Sequence, residues 1–454
     1  MITNFVKKFI YSDVYLILLC LVSFMAWQTK MDVVGMAIMA FVFCIVMCFS
    51  DDGTPAIPAL AWFMLTISHN YDFDFIINNV VVLIVIATGV FGSIAVFLCK
   101  NKVRFRFGKQ FAGFLAMFVA MSLGGILFNP SLTLKSIPSV FTIYFCLIAG
   151  YLLFLNVVRR NCPKYFAKIM TYTGLLLALQ TLNFYLTSEY SFQTLIEFKL
   201  LKVGWGVSNS IGALLVLIVP FTFYLVAKVK LPILYIGLLA VEIVALLMTL
   251  SRGAILFAAL GFPLGVVFTC MKAESKKTVL TCFMYLIVVG VALIVLKYND
   301  ISFIFDKISG TDSSGRFDLY FNAIEDFCES PIFGISMYGR RSRVDTNLFA
   351  VVWYHSTPLQ FMANAGLAGL LSYLVHLFFK YEMLFSKGDV FVKFVLLGIL
   401  MWSGYALIDA FYFTQNQLVF FALSLVFAEK NVYNNGGIGK FLSNSIKKNK
   451  INNR

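Results

Sequence analysis

Residues 245–260 read ALLMTLSRGAILFAAL, sixteen residues with a single charge, Arg252. Apolar sequence continues on both sides of that arginine, and outward from it the same texture covers nearly the whole chain. The 454 residues are 60% hydrophobic and only 13% charged, where soluble domains carry about 25% charged residues. Apolar runs of about 17 to 24 residues recur from end to end, long enough to cross a bilayer as helix. The sequence therefore predicts an all-α, polytopic transmembrane helical bundle of about 12–14 spans. The first apolar run, Val14 to Trp27, leads straight into others and reads as a span, not as a cleavable leader.

Helices are expected at about 10–27, 33–50, 56–69, 75–99, 111–128, 137–158, 169–188, 209–228, 232–250, 254–271, 278–296, 358–379, 390–408 and 415–428. The segment at 56–69 is short and opens on prolines, so a count of about twelve, with a re-entrant or merged N-terminal piece, stays open. Charge orients the bundle. With both termini inside, the cytoplasmic segments, among them KNKVRFRFGKQ, RRNCPKYFAK and KAESKK, hold about 25 of the 36 Lys and Arg residues. The net charge of +14 is thus a topology signal, not a nucleic-acid one. Five regions follow: N-terminal helices over 1–203, helices carrying two motifs over 204–296, an outer loop over 297–357, C-terminal helices over 358–428, and a basic cytoplasmic tail over 429–454.

Several chemistries find no support. The cysteines are scattered through the helices, with Cys328 alone in the outer loop, which is no disulfide framework. His69, His355 and His376 lack the spacing partners of a metal site. No phosphate-binding glycine loop and no GxSxG elbow occurs. No cofactor is expected, so an enzyme here must draw its energy from the substrate.

The outer loop contains SSGRFDLYFNAIEDFCESPIFG, residues 313–334. Phe317, Tyr320, Phe321, Ile324, Phe327 and Cys328 recur at the spacing of one helix face, with Asp318, Asn322, Glu325, Asp326 and Glu329 on the other. This predicts a short amphipathic helix capped by Ser314, ended by Pro331 and Gly334, and lying on the outer surface or capping the bundle. Arg316 stands at its start, where a cation opposes the helix dipole, so local stability does not explain it. Arg340, Arg341 and Arg343 cluster just beyond, and His355 stands where the chain re-enters the membrane. Arg252 itself has two readings. An interfacial arginine can snorkel to the headgroups. Ionisable groups at membrane depth more often face a cavity, and on the expected topology Arg252, Arg316, the 340–343 cluster and His355 share the outer face. Such a set suits a phosphate or pyrophosphate, which guanidinium grips in a bidentate way.

The motifs LSRGAILFAALG, SGRFDLYFNAIEDFCESPIFGIS and YHSTPLQFMANAGLAGLLSYL resemble signatures of the bacterial O-antigen ligase and polymerase superfamily. GWGVSNSIGALLVLIVP, with Asn209, is similar to a further helix start of that family, and the resemblance spans about 204–379. The chain departs from it at Ser356, where many members have asparagine. The resemblance implies a membrane glycosyltransferase that uses an undecaprenyl-pyrophosphate-linked oligosaccharide, with Arg252 and Arg316 on the pyrophosphate and His355 as general base. Arg340, Arg341, Arg343, Asn209 and Tyr354 are candidate substrate contacts, although Asn209 also suits a helix cap. A polymerase of O-antigen or capsule is the favoured activity and a ligase acting on lipid A core the alternative. Membrane lipids and a chain-length regulator protein are the expected partners. A lipid-linked-glycan transporter is the competing class. It is disfavoured because the chain shows no internal repeat and its candidate charges gather on one face.

Overall fold

The computed structural model describes residues 2–68, 78–127, 136–296, 302, 304, 315–337, 353–386 and 388–434. Among them the protein is all-α, with one isolated bridge between Lys202 and Val207. In chain order the helices are α1 (Ile2–Ile10), α2 (Asp13–Gln28), α3 (Asp32–Phe49), α4 (Ile57–Phe63, flanked by 3-10 turns), α5 (Val80–Lys100) and α6 (Lys109–Ser122). Next come α7 (Ser136–Val140), α8 (Cys146–Val157), α9 (Pro163–Thr187), α10 (Phe192–Glu197), α11 (Ser208–Lys228) and α12 (Ile233–Met248). The last are α13 (Arg252–Lys272), α14 (Lys276–Leu296), α15 (Arg316–Glu329), α16 (Thr357–Leu384), α17 (Val390–Tyr405) and α18 (Gln415–Asn434).

Among the described residues, every segment expected from hydropathy is helical. Among the described residues, seven helices are long and apolar enough to cross a membrane, and five more are apolar but shorter. On α5 the side chains of Val81, Val85 and Phe91 are exposed, and on α14 those of Met284, Tyr285 and Val288. An apolar surface of this density is a lipid-facing surface in a membrane protein.

The chain divides into two compact units. Unit 1 comprises Met1–Arg104, Asn156–Gly310 and Leu397–Trp402. At its centre is α11, apolar all round and enclosed on nearly every side, as such a helix must be. Thr222 on α11 shares a hydrogen bond with Thr171 of α9 (3.0 Å) and donates to the buried Glu242 of α12 (3.0 Å). Gly174 gives Glu242 its space, since a Cβ there would lie 2.3 Å from Oε1.

Unit 2 comprises Phe105–Leu155, Thr311–Leu396 and Ser403–Arg454. Its α6 begins at Lys109, whose backbone N–H donates to Glu429 Oε1 (2.6 Å), a side-chain cap supplied by α18. Tyr151 donates to the other oxygen of the same carboxylate. Gly113 lets α6 approach α16 closely: a Cβ there would lie 2.8 Å from the Cα of His376.

Candidate functional site

In unit 2 the helix expected at 358–379 is broken. Ala365 (φ −137°, ψ 16°) and Gly366 (φ 62°, ψ −151°) leave helical geometry, and the chain doubles back. The rings of Phe361 and Tyr373 stack with centroids 5.2 Å apart, whereas twelve residues of straight helix would separate them by about 18 Å. The break has a physical cause in the outer segment. Ile335 N–H donates to Ala363 O (2.9 Å) and Ser336 N–H to Asn364 O (3.1 Å). In return Leu367 N–H donates to Pro331 O (2.8 Å) and Ala368 N–H to Ile332 O (3.2 Å). Backbone groups freed by the break thus find partners, as an apolar surrounding requires. The fit needs glycine. A Cβ on Gly334 (φ +71°) would lie 2.4 Å from Ala365 N, and one on Gly366 would lie 2.4 Å from the Ile332 carbonyl carbon. The two motifs SPIFG and ANAGLAG are therefore the two halves of one interlock.

This interlock positions α15 alongside the short helix that follows His355. Arg316 is the first residue of α15, after Gly315 in the left-handed region (φ 67°). Its Nη1 donates to the carbonyl of Ile408 (3.0 Å). The next residue after Ile408 is Asp409, whose Oδ1 lies 3.2 Å from Nδ1 of His355. Asp409 Oδ1 also accepts the N–H of Ala410 (2.9 Å), and the Asp409 carbonyl accepts from Thr357 Oγ1 (2.9 Å). One turn along α15, the Tyr320 hydroxyl donates to the His355 carbonyl (3.3 Å). Burial raises the Tyr320 phenol above its ordinary range, the Arg316 charge opposes the rise, and the Asp409 charge adds to it. His355 has φ +48°, a left-handed conformation that a side chain adopts only when its surroundings enforce it. Its side chain is 35% accessible, against 9% for Asp409. A buried carboxylate thus holds one nitrogen of a half-open imidazole, with a guanidinium fixed next door.

The apolar residues of α15 turn outward, one of the two placements expected for this helix. Ala323 and Asp326 are buried, while Phe317, Phe321 and Ile324 are exposed. Asp326, assigned from spacing to the polar face, accepts a hydrogen bond from the Tyr354 hydroxyl. Ala323 packs into a cluster with Tyr354 and Ala363, and that packing decides the rotation of the helix. Tyr354, a candidate sugar contact, is 1% exposed and serves as an anchor for α15. Ser314, the expected cap, and Arg340, Arg341, Arg343 and His69 lie outside the described residues.

Unit 1 carries the remaining candidates. Arg252 is the exposed first residue of α13, reached from α12 by a turn through Thr249, Leu250 and Ser251, with Leu250 at φ +50°. Thr249 Oγ1 accepts the N–H of Ser251 (3.2 Å) and closes the turn. Gly212 of α11 seats it: a Cβ there would meet Ala254 Cβ at 2.8 Å and Ser251 Cβ at 3.2 Å. Asn209 is the second residue of α11, not its cap, which is Val207. Its Oδ1 accepts from Lys199 Nζ (2.9 Å). Gly212 and Asn209 are one turn apart, so the motif NSIG and the motif TLSRG form one packed corner. Both candidate arginines are thus first residues of helices, where the dipole adds its positive end to theirs.

Residues 234–374 match the O-antigen ligase family. The resemblance drawn from the motifs is borne out over that stretch, which holds Arg252, Arg316, Tyr354 and His355. Asn209 precedes it and Asp409 follows it. The match supports activity of the O-antigen ligase and polymerase type broadly, in general terms that of a membrane glycosyltransferase. No curated protein matches the chain.

Unit 2 brings Arg316 and His355 together, while Arg252 and Asn209 stand together in unit 1. The candidate residue missed from sequence is Asp409. Its signal is a lone carboxylate within YALIDAFYF, residues 405–413, the same kind of isolated charge in apolar sequence that drew attention to Arg252.

Proposed function

We propose that this chain is a polysaccharide polymerase of the cytoplasmic membrane. It joins an undecaprenyl-pyrophosphate-linked glycan to the hydroxyl of a second lipid-linked repeat unit, in O-antigen or capsule synthesis. The observation that carries this reading is the His355–Asp409 pair beside an arginine held by the adjoining carbonyl. With Nδ1–H donating to Asp409, the free nitrogen of His355 is Nε2, which can accept a proton.

In this mechanism His355 Nε2 takes the proton of the acceptor hydroxyl as its oxygen attacks the anomeric carbon of the donor sugar. The bond from that carbon to the pyrophosphate oxygen breaks, and the lipid pyrophosphate leaves with the electron pair. Attack from the opposite face inverts the anomeric configuration. Asp409 stabilises the imidazolium that forms, the role of the orienting carboxylate in nucleophile–base–acid sets. Arg316 and Arg252 meet the charge developing on the pyrophosphate by fixed electrostatic stabilisation. Each adds a guanidinium to the positive end of a helix, a combination suited to phosphate oxygens. In this reading the charge is met by arginines and not by a divalent cation. Asn209, beside the Arg252 turn, and Arg340, Arg341 and Arg343 are proposed contacts to the anionic lipid or its glycan. On this reading both termini lie in the cytoplasm and the site on the outer face. Membrane lipids and a chain-length regulator protein are the proposed partners.

The family description names a ligase, which supports a second reading: transfer of a finished glycan to lipid A core or another acceptor. One assay separates them. Purified protein in liposomes receives lipid-linked repeat units without any ion gradient. Lengthening of the lipid-linked chain supports the polymerase. Transfer only after lipid A core is added supports the ligase. Movement of the lipid across the bilayer without any new glycosidic bond points to a transporter and overturns both.

A further inference from the structure

The segment that presents Asp409 and the Ile408 carbonyl is short. It leaves α17 at Tyr405 and reaches the next regular turn at Phe411–Phe413. A single side chain ties its two flanks. Lys380 of α16 donates from Nζ to Ser403 Oγ (2.9 Å) and to the Tyr412 hydroxyl (3.1 Å). One turn earlier on α16, His376 Nε2 lies 3.1 Å from the same Tyr412 hydroxyl. Lys380, His376 and Tyr412 are each fully buried. Aromatic rings close the surroundings: Lys380 Nζ lies 4.6 Å from the centroid of Tyr381 and 5.6 Å from that of Phe421, and Phe114 stacks on His376 at 5.0 Å.

The hydrogen-bond partners of Lys380 are hydroxyls, and no ion pair to a carboxylate accompanies them among the described residues. Placing an amine here is costly, since an ionisable group loses its water. An apolar chain of similar length would fill the space without that cost, as replacements of buried polar groups by hydrophobic ones show. What the amine adds is two directed bonds, one to each side of the segment that holds Asp409.

We propose that Lys380 is a positioning residue. The buried chain His376–Tyr412–Lys380–Ser403 clamps both flanks of the turn, so that Asp409 meets His355 and the Ile408 carbonyl meets Arg316 in register. The inference rests on the reading of His355 as general base. It gives a role to a lysine and a histidine that the reaction itself does not use.

The test measures lengthening of lipid-linked repeats by the full chain in liposomes. Lys380→Met keeps the length and volume of the side chain and removes its bonds. The expected result is a kcat lower by about tenfold or more, with KM unchanged and the melting temperature equal or higher. Ser403→Ala and Tyr412→Phe remove the same bonds from the other side and lower kcat in the same way, whereas Ser403→Thr restores it. In an Asp409→Asn background, Lys380→Met lowers kcat no further, because both act through one geometry. A normal kcat for Lys380→Met beside a slow Asp409→Asn overturns the clamp and leaves the base assignment standing. A normal kcat for Asp409→Asn removes the base reading and the clamp with it. Should Lys380→Met not fold, a normal kcat in both Ser403→Ala and Tyr412→Phe overturns the clamp.

Discussion

His355 and Asp409 stand 54 positions apart in the chain and meet through one hydrogen bond, Nδ1 to Oδ1 at 3.2 Å. The carboxylate is buried and the imidazole half open, so one end of the pair is fixed while the other faces outward. Arg316 is bonded to the carbonyl immediately before Asp409, so any shift of that segment moves the imidazole and the guanidinium together. Three expectations follow from this arrangement and from the contacts that support it, and a fourth from the turn that presents Arg252.

Asp409→Asn removes the charge that balances an imidazolium and keeps the shape. General-base catalysis contributes about 100- to 10,000-fold, and the variant is expected to lose kcat by about 100-fold with KM unchanged. Initial rates of chain lengthening in liposomes provide the check. A loss confined to KM would instead mark Asp409 as a substrate contact.

Gly334→Ala and Gly366→Ala force a Cβ into backbone at 2.4 Å and place a side chain at φ +71° and φ +62°. The left-handed conformation alone costs about 1–2 kcal/mol, and the overlap adds to it. Each variant is expected to melt well below the parent in detergent. An unchanged melting temperature in either would refute the interlock between the outer segment and α16.

Tyr354→Phe deletes the hydroxyl that donates to the buried Asp326. Loss of one partner of a buried hydrogen bond costs about 1–3 kcal/mol, while removing both is often close to neutral. The double variant Tyr354→Phe with Asp326→Leu is therefore expected to be more stable than Tyr354→Phe alone. Thermal melts of the two singles and the double measure the coupling, and strict additivity would contradict it.

Gly212→Val introduces a side chain whose Cβ would lie 2.8 Å from Ala254 Cβ. Overpacking of this kind costs about 1–3 kcal/mol. The strain falls on the turn that presents Arg252, so activity is expected to drop more steeply than stability. A variant that melts lower yet lengthens chains at the parental rate would show that the turn does not position Arg252 for the reaction.

Much of the architecture is legible in the residues. The helix over 163–187 begins earlier than hydropathy suggests because Pro163 occupies its first turn, where a missing N–H is harmless. The outer amphipathic helix lies where its spacing predicts, and it meets the protein through a side that spacing does not single out. Spacing groups Phe317, Phe321 and Ile324 with Tyr320, and contact with Tyr354 and Ala363 instead selects the side that holds Ala323 and Asp326. Hydropathy ends a helix at 379 and leaves Lys380 outside it, whereas α16 continues to Leu384 and buries that lysine. The break within 357–384 is likewise invisible in the residues, because the carbonyls it frees are satisfied by residues 335 and 336, some thirty positions away.

The sequence by itself determined the membrane class, the places of the helices and the arginines and histidine worth attention. Each of these is a local property: a backbone in hydrocarbon must bond within its own segment, so a span is written in consecutive apolar residues, and a charge among them stands out. Only the tertiary structure decided that Asp409 holds His355, that Lys380 bridges Ser403 and Tyr412, and that two glycine motifs lock into each other. Those pairings join segments distant along the chain, and a side chain's partner is set by which helices pack together, which no stretch of local pattern specifies.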